Sequence, residues 1–479
     1  MIARIFNQKY LLFLFFGCVL SRIASSIFYI EDIDSLRFAL SIEEYNIIKL
    51  QPHFPGYPIF CFLAKFLFFF TNSKAISFSI IGGFSLFIII YFTLKLFQIR
   101  NNTFKGLCCS ALIFFNPFLW LMSNRYMPDL MGLAVAMASL YFLIIKMKEN
   151  KYTLLGFVLF GILAGIRLSY TPLLLLPIFY HLFQNSKKSH LLFSFIIGCS
   201  IWLIPMIFIT GLNSLYEAAL KHTSGHFSDF GGTFITENLW GKRIINLISS
   251  VWADGLGGYW YGRSWQTLLL SLPMVYFLYN GIYEIKDKKL SKENLLIIGA
   301  IIVYLIWILF FQNIIYKSRH IMPLLIFIII ILNTGINSTV YDKGLFRSIV
   351  LGCFFLSLIN ITAVLIGQHK NPSAISNLKD NIVKNHDGQI IISNNLINYY
   401  LKAHGIKKDF INIDDKEDIE MLKKNKFDSL YLIGNYSKVF VDDYKIYLDS
   451  NYYHNPYVNK MWSEISAYRL THKTDVQKN

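Results

Sequence analysis

The chain has 479 residues, of which 54% are hydrophobic and only 15% are charged, and its formal net charge is +16. A soluble protein of this length divides into about two or three domains whose surfaces need more charge than this, so a soluble globular class is excluded. The basic residues lie mostly in short loops between apolar runs and not in one stripe, which favours orientation in a membrane over nucleic-acid binding.

Long apolar runs recur along the chain and predict membrane-spanning helices. Runs of about 20 residues match the hydrocarbon thickness of a bilayer, and helices leave no backbone group unpaired in lipid. The first run is long enough to span, which favours a retained signal anchor over a cleaved signal peptide. About eleven spans are predicted, near 10–30, 75–97, 104–122, 128–147, 152–167, 168–183, 190–211, 264–284, 295–316, 320–337 and 346–368.

The distribution of charge predicts a cytoplasmic N-terminus. With that orientation the opposite, outer loops are poor in basic residues and contain the acidic cluster Glu31, Asp32 and Asp34. The apolar stretch 58–70 is short for a span and contains Lys65, so we expect a helix lying at the membrane surface. The inner loops contain Arg100, Lys105, Lys146, Lys148, Lys151, Lys187, Lys188, Lys286, Lys288, Lys289, Lys292, Lys343 and Arg347.

Two outer loops, the first (31–74) and the fourth (211–263), are long, and long loops often carry function. Beyond about residue 368 the segments QIIISNN, DFINI, SLYLIGN and EISAYRL are typical of strands, and 419–425 is typical of a helix. We therefore predict an all-α polytopic membrane domain over 1–368 and a small α/β domain over 369–479. An odd number of spans places the C-terminal domain outside the cytoplasm.

Carboxylates at predicted outer helix ends are candidates for a catalytic base. Asp32 and Asp34 follow directly where the first span surfaces, and partial desolvation there raises the basicity of a carboxylate. The alternative is that Asp32 and Asp34 have no catalytic role and are simply the acidic residues found at a non-cytoplasmic helix end. Asp129 begins another span, where Pro128 suits the first turn and an acid suits the positive helix end, so capping explains it as well as catalysis does.

The fourth outer loop contains His222 and His226, four residues apart, with Asp229 nearby. This spacing is compatible with a metal site on a helix. Gly225 and the glycines that follow argue against a firm helical pair, so we favour a substrate-covering loop and predict no metal ligands.

Cations at predicted outer helix ends suit an anionic headgroup. Lys317 and Arg319 lie at the mouth of a span where the orientation rule disfavours them, so they have either a functional partner or an interfacial, snorkelling role. The planar guanidinium of arginine binds phosphate through two parallel hydrogen bonds, and lysine acts as a point charge. Arg125, Arg167 and Arg263 also fall at predicted outer ends.

Five segments, EDIDSLRFAL, QPHFPGYPIFCFLAKF, RYMPDLMGLA, GHFSDFGGT and KSRHIMPLL, occur in this order. Together they resemble the GT-C superfamily of membrane glycosyltransferases, in the branch of protein O-mannosyltransferases and aminoarabinose transferases. The likeness runs from about residue 31 to 325 and rests on order and topology, not on any single motif. It implies a polyprenyl-phosphate-linked sugar donor and an acidic base in the first outer loop. Asp34 matches the pattern D-S-x-x-F-A-L better, and Asp32 is the alternative.

The resemblance also extends to the substrate site. Asp129 matches the acidic position of the family's second outer loop, and 52–57 matches the proline-containing start of its surface helix. The residues predicted to bind substrate are Asp129, His53, Tyr57, Arg125, His226, Arg263, Lys317 and Arg319.

The predicted function is transfer of a sugar from a polyprenyl-phosphate donor to an acceptor hydroxyl, with inversion, at the outer face of a bacterial plasma membrane. The sequence does not specify whether the acceptor is a lipid, a glycan or a protein, and it leaves open a divalent cation at the donor phosphate. No nucleotide-binding motif is visible, and the predicted partners are a lipid-linked sugar and membrane lipid, not nucleic acid.

The alternative functions are a secondary transporter and a flippase or polymerase for lipid-linked glycans. Transporters usually place ionisable residues near the bilayer midplane, whereas these lie at predicted outer ends.

Overall fold

The computed structural model describes residues 2–184, 186–228, 231–237, 239–286, 289–314, 317–340, 344–385, 389–424, 427 and 429–473. The chain divides into two compact units. The first comprises Met1–Ser26 and Arg37–Gly367, and the second comprises Ile27–Leu36 and Gln368–Asn479. The acidic segment (residues 31–34) therefore belongs to the same unit as the C-terminal tail.

The first unit is built from helices, which pair their own backbone groups as a lipid environment requires. Besides α-helices it contains π-helical turns over Tyr141–Ile145 and Ser250–Gly255 and a 3-10 turn over Ser318–Ile321. The helices are α1 (Ile2–Ala24), α2 (Ile33–Glu43), α3 (Pro58–Thr71), α4 (Lys74–Leu96), α5 (Phe104–Phe114), α6 (Pro117–Asn124), α7 (Asp129–Leu140), α8 (Asn150–Arg167), α9 (Pro172–Gln184), α10 (Lys188–Thr210), α11 (Leu212–Ser228), α12 (Trp240–Ser249), α13 (Thr267–Lys286), α14 (Lys292–Phe311), α15 (Met322–Val340) and α16 (Leu345–His369). Residues 33–36 of α2 and 368–369 of α16 belong to the second unit.

Each predicted span overlaps a helix or a helix pair, and the chain is a multi-pass membrane protein. Within the described ranges, seven helices are long and apolar enough to cross a membrane, namely α4, α8, α10, α13, α14, α15 and α16. The bent pair of α5 and α6 makes an eighth if it counts as one span. The count is lower than the predicted eleven because α7 and α9 are shorter apolar helices and α1 is not among the helices counted.

The break between α5 and α6 bends the pair by 53° and frees backbone carbonyls. Nη2 of Arg22 donates to Phe114 O at 2.9 Å, and Oγ1 of Thr362 donates to Phe115 O at 2.6 Å. The Arg22 guanidinium also lies 3.5 Å from the ring centroid of Trp120. Because an unpaired carbonyl in hydrocarbon costs several kcal/mol, these side chains make the break tolerable.

Small residues allow close helix packing. A Cβ on Gly161 would lie 2.5 Å from Phe195 O, and a Cβ on Gly198 would lie 2.2 Å from Val158 O. The backbones of α8 and α10 therefore meet where both helices lack side chains, as is common between membrane helices.

The two segments predicted as long outer loops are largely helical. The first contains α2 and the short apolar helix α3, and the fourth contains α11 and α12. The expectation that glycine breaks the His222–His226 pair is wrong, since Gly225 lies inside α11 and both histidines lie on that one helix. A single helical glycine costs only about 1 kcal/mol, which the packing of Leu215 in a small hydrophobic cluster helps to offset. Asp229 lies outside the described residues.

The second unit contains a five-stranded mixed sheet in the order β2-β1-β3-β5-β4. Strand β1 pairs in parallel with β2 and β3, whereas β5 pairs antiparallel with β3 and β4. Helical crossovers join the parallel strands, as parallel pairing requires. The elements are α17 (Ala374–Asn385), β1 (Ile390–Ser393), α18 (Asn395–Ala403), β2 (Phe410–Asn412), α19 (Lys416–Lys424), β3 (Ser429–Ile433), β4 (Tyr444–Tyr453) and β5 (Glu464–His472).

The small C-terminal α/β fold is confirmed, with strands at the four predicted segments. Helix α19 corresponds to the predicted helix 419–425, of which residue 425 is outside the described residues. Strand β4 was not predicted because it lies at a sheet edge, where every residue but Tyr444 is at least partly exposed and no apolar alternation develops.

Candidate functional site

The acidic segment opens helix α2. Asp32 accepts a hydrogen bond on each carboxylate oxygen, from the Ser35 N–H to Oδ1 at 2.8 Å and from Asn459 Nδ2 to Oδ2 at 2.9 Å. Its position just before α2 and the bond from Ser35 make Asp32 the N-cap of this helix, where an acceptor satisfies an unpaired N–H and a negative charge is favoured. Asp34 lies in the first turn and is 5% exposed.

Glu31 is tied to the end of α16 and to the residues that follow. Its Oε2 lies 3.0 Å from Nε2 of His369, and both side chains are almost completely buried. The Ser373 hydroxyl donates to the Glu31 carbonyl at 3.0 Å. The backbone and the side chain of Glu31 are therefore both held by the second unit.

Tyr400 of α18 fixes the neighbouring backbone. Its hydroxyl donates to Ile30 O at 2.5 Å. Burial is the largest cause that raises the pKa of Tyr400, and the charge of Asp32 raises it further. The phenol therefore stays protonated and remains a donor to this carbonyl.

A buried ionic cluster (Asp129, Arg167 and Arg319) lies in the first unit. Asp129 begins α7 and Arg167 ends α8, and Nη2 of Arg167 is 2.8 Å from Asp129 Oδ1. Nε of Arg319 is 3.8 Å from the same oxygen. The three side chains are 1%, 6% and 11% exposed, respectively. An isolated buried charge is strongly unfavourable, so each member depends on its partner.

Gly132 allows Asp129 and Arg167 to meet. It lies one turn after Asp129 on α7, and a Cβ at this position would be 2.5 Å from Arg167 Cβ. Because no side chain stands there, α7 and α8 approach closely at the point where the two charges pair.

Tyr57 and His53 extend this cluster. The Tyr57 hydroxyl lies 3.4 Å from Nη1 of Arg167 and 3.1 Å from Nε2 of His53. The His53 ring stacks on His222 of α11 with centroids 5.4 Å apart. Phenol, imidazole and guanidinium groups thus converge, and groups of these kinds can donate hydrogen bonds to phosphate or sugar oxygens.

The turn before α3 presents Tyr57 to the cluster. Gly56 and Tyr57 both have left-handed backbone conformations, with φ of 85° and 46°. A Cβ on Gly56 would lie 2.6 Å from the Tyr45 hydroxyl, so only glycine fits. A tyrosine at positive φ is uncommon, and such strain often accompanies a functional position.

The remaining residues predicted to bind substrate are His226, Arg263, Arg125 and Lys317. Nε2 of His226 lies 2.8 Å from Phe311 O, and Nη1 of Arg263 donates to Ala253 O at 2.6 Å. Both side chains therefore satisfy main-chain carbonyls near helix ends. Arg125 follows α6, and half-buried Lys317 precedes the 3-10 turn that contains Arg319.

Two contacts of the candidate carboxylates were not predicted from the sequence, that of Arg167 with Asp129 and that of Asn459 with Asp32. Arg167 was placed at an outer helix end, and its pairing with Asp129 had a signal, since opposite charges occupied the same predicted side of two consecutive spans. Asn459 had no such signal, because 427 residues separate it from Asp32. Within the part of the chain that the structure describes, no group of three or more His, Cys, Asp or Glu residues is arranged to hold a metal ion.

No protein-family model matches the sequence, and a search of curated proteins finds no match. The structure is similar to ArnT, an aminoarabinose transferase from Cupriavidus metallidurans, in two crystal structures. For ArnT bound to undecaprenyl phosphate the TM-score is 0.52 at 10% identity, over 97% of this chain and 97% of that chain. For apo ArnT the TM-score is 0.53 at 10% identity, over 95% and 97%. The chain thus has the GT-C fold that was predicted.

Proposed function

We propose that the chain is a membrane glycosyltransferase that moves a sugar from a polyprenyl-phosphate donor to an acceptor hydroxyl at the outer face of a bacterial plasma membrane. The GT-C fold supports this proposal, and one ArnT structure of that fold contains undecaprenyl phosphate. The observation that carries it is the pair of buried carboxylates, Asp32 and Asp34, at the start of α2. A cytoplasmic N-terminus and an extracytoplasmic C-terminal unit follow from the charge distribution.

The proposed reaction is a direct displacement. The acceptor oxygen forms a bond to the anomeric carbon, the bond from that carbon to the lipid phosphate oxygen breaks, and the phosphate leaves with the bonding electrons. The hydroxyl proton passes to a carboxylate acting as general base. Attack opposite to the leaving group inverts the anomeric configuration.

Asp34 is the proposed base, and Asp32 has a helix-capping role. Asp32 accepts a hydrogen bond on each carboxylate oxygen, and these bonds hold it in place as the cap of α2. The N-cap position gives Asp32 a structural explanation that does not apply to Asp34. This assignment chooses between the two residues that the sequence left open.

Cations of the first unit are proposed to bind the donor phosphate. Arg319 offers a guanidinium fork beside Asp129, and Lys317 lies two residues before it. Positive groups that face the departing phosphate stabilise the charge that develops as the bond to the sugar breaks. Tyr57 and His53 are proposed to bind polar groups of the same donor.

The test is transfer from a radiolabelled polyprenyl-phosphate sugar pool in membranes that contain the wild type or Asp34→Asn. Asparagine keeps the size of the side chain but accepts no proton at neutral pH. We expect the wild type to discharge the donor and the variant to fail. Asp442→Asn, on the surface of the same unit, is the matched control and should retain wild-type transfer. Equal discharge by wild type and Asp34→Asn would refute the assignment of the base, and no discharge by folded wild type would refute the function.

A further inference from the structure

We infer that Asn459 is a positioning residue that holds the first turn of α2, and with it Asp34, in the geometry for transfer. The inference rests on the proposed function, because it assigns a role in that reaction. It concerns the second unit alone, which contains Asn459 and the acidic segment.

The amide of Asn459 is fixed in orientation. Its Oδ1 accepts the Met461 N–H at 3.0 Å, so its Nδ2 is the group that faces Asp32 and donates at 2.9 Å. The residue is 5% exposed. An oriented, buried amide that donates to a buried carboxylate is a specific contact and not an incidental surface one.

Asn459 is itself anchored through His454. The Ala374 N–H, at the start of α17, donates to Nδ1 of His454 at 3.0 Å. That bond leaves the proton on Nε2, which donates to Asn459 O at 2.9 Å. A continuous series of hydrogen bonds therefore runs from α17 through His454 and Asn459 to Asp32, and from Asp32 to the Ser35 N–H.

Other contacts hold the backbone of the same segment but not its helix cap. The Tyr29 hydroxyl donates to His369 O at 2.7 Å, while Tyr400 and Ser373 donate to the carbonyls of Ile30 and Glu31. Removal of the Asn459 amide should therefore leave the segment attached to the unit.

The first turn of α2 is the part that the loss of Asn459 affects. Without the amide, buried Asp32 loses a donor, and a buried carboxylate with fewer donors is unfavourable. Asp32 is then expected to shift toward other donors, and Asp34 in the same turn moves with it. A displacement of about 1 Å at a reacting group lowers a rate by about 100-fold.

The kinetic test compares Asn459→Ala with Asn394→Ala in purified full-length protein. Asn394 caps α18 in the same unit by accepting the Ile397 N–H at 2.9 Å, so its replacement is a matched loss of one asparagine hydrogen bond. We expect Asn459→Ala to lower kcat about tenfold or more while the KM for the lipid-linked donor changes by less than about twofold. Asn394→Ala should keep both constants near those of the wild type. If the two variants behave alike, the inference is wrong.

A second variant gives a readout that a general packing role would not change. Asn459→Asp keeps the shape but places a second carboxylate against Asp32. Two carboxylates this close share a proton at low pH and repel when both are ionised. The transfer rate of Asn459→Asp should approach that of the wild type at low pH and fall below it as the pH rises. A rate ratio that is constant with pH would contradict the positioning role.

Hydrogen exchange separates this inference from the proposed function. Peptides that cover α2 should exchange faster in Asn459→Ala than in the wild type or Asn394→Ala, whether or not a substrate is known. If wild type lacks transfer activity, the function fails and the exchange rates still decide whether Asn459 holds α2. Unchanged exchange in Asn459→Ala would overturn the inference, and so would faster exchange with an unchanged transfer rate.

Discussion

Asp129 Oδ1 and Arg167 Nη2 lie 2.8 Å apart, between the start of one helix and the end of the next, with almost no exposure to solvent. Desolvation of two such charges is unfavourable, and the ion pair offsets it only while both members are present. Asp129 therefore does more than complement a helix dipole. It neutralises an arginine whose guanidinium also faces the Tyr57 hydroxyl, and so supports the surface proposed to bind the donor.

Removal of Asp129 should destabilise the protein strongly. Asp129→Ala leaves Arg167 buried without its carboxylate, and breaking a buried pair in this way costs about 3–5 kcal/mol. Thermal or denaturant unfolding of the detergent-solubilised protein measures this. Glu149→Gln is the matched control, because Glu149 pairs with Lys146 at 2.9 Å on the surface, where such a pair contributes about 0–1 kcal/mol. Equal losses in both variants would contradict the role assigned to Asp129.

Gly132→Ala should also lower stability. Its Cβ would lie 2.5 Å from Arg167 Cβ, so α7 and α8 must separate, and overpacking of this kind costs about 1–3 kcal/mol. Gly352→Ala on α16 meets no atom within 4 Å, and alanine there should leave stability unchanged or raise it by up to about 1 kcal/mol. The melting temperatures of the two variants, measured side by side, test the close approach at Gly132. A neutral Gly132→Ala would exclude that approach.

Tyr57→Phe should weaken donor binding. The variant removes the hydroxyl that lies near Arg167 and His53 while it keeps the ring that packs against Phe38. Loss of one such hydrogen bond corresponds to about 1.5–3 kcal/mol, or a rise in the KM for the donor of about tenfold to 100-fold.

Donor titrations of the transfer rate provide the measurement for Tyr57→Phe. Tyr279→Phe, in which the changed side chain is 68% exposed, serves as the control and should not alter KM. A KM for Tyr57→Phe equal to that of the wild type would remove Tyr57 from the proposed donor site.

Tyr400 predicts a pH dependence of stability at alkaline pH. Its folded-state pKa is raised above the ordinary value of 10.0 by burial and then by Asp32, so the neutral phenol is the form that the fold favours. The stabilisation is complete below pH 10 and is lost as the pH rises toward the folded-state pKa, because the unfolded chain releases this proton first. One proton corresponds to a slope of about 1.4 kcal/mol per pH unit.

Unfolding of the wild type and Tyr400→Phe at a series of pH values above 10 isolates this contribution. Other tyrosines titrate in both proteins, so only the difference between the two slopes reports on Tyr400. We expect a shallower decline of stability in Tyr400→Phe. Parallel curves would show that Tyr400 is not held neutral by the fold.

The membrane fold was predictable because its determinants are local. Each apolar run reports on the hydrocarbon thickness that a helix must cross, and the strands of the tail appear as short β-branched and aromatic segments. The expectation that glycine prevents a helical pair of His222 and His226 was wrong, because it considered only the local preference of that glycine. Gly225 is one of two buried residues of the 17-residue helix α11, and the cost of one helical glycine, about 1 kcal/mol, is too small to break it.

The candidate site was predictable only in part. Asp32, Asp34 and Asp129 stand out because acids at the ends of apolar helices are few, and their position alone marks them. The contact of Asp32 with Asn459 was not predictable, because Asn459 is distant in sequence and no periodicity connects it to Asp32. Hydrogen bonds between distant polar residues follow from the tertiary fold, and a single sequence does not contain them in readable form.

The most direct test of the central claim compares Asp34→Asn and Asp32→Asn in purified protein supplied with a polyprenyl-phosphate sugar. The measured quantities are the rate of release of polyprenyl phosphate and the melting temperature. We predict that Asp34→Asn lowers the rate by about 100-fold or more with an unchanged melting temperature, because general-base catalysis contributes about 10²–10⁴-fold. Asp32→Asn should melt earlier and lose less activity, because its new Nδ2 would face the Nδ2 donor of Asn459 while its Oδ1 still accepts from Ser35. Full activity in Asp34→Asn together with an inactive, stably folded Asp32→Asn would contradict the account and make Asp32 the base.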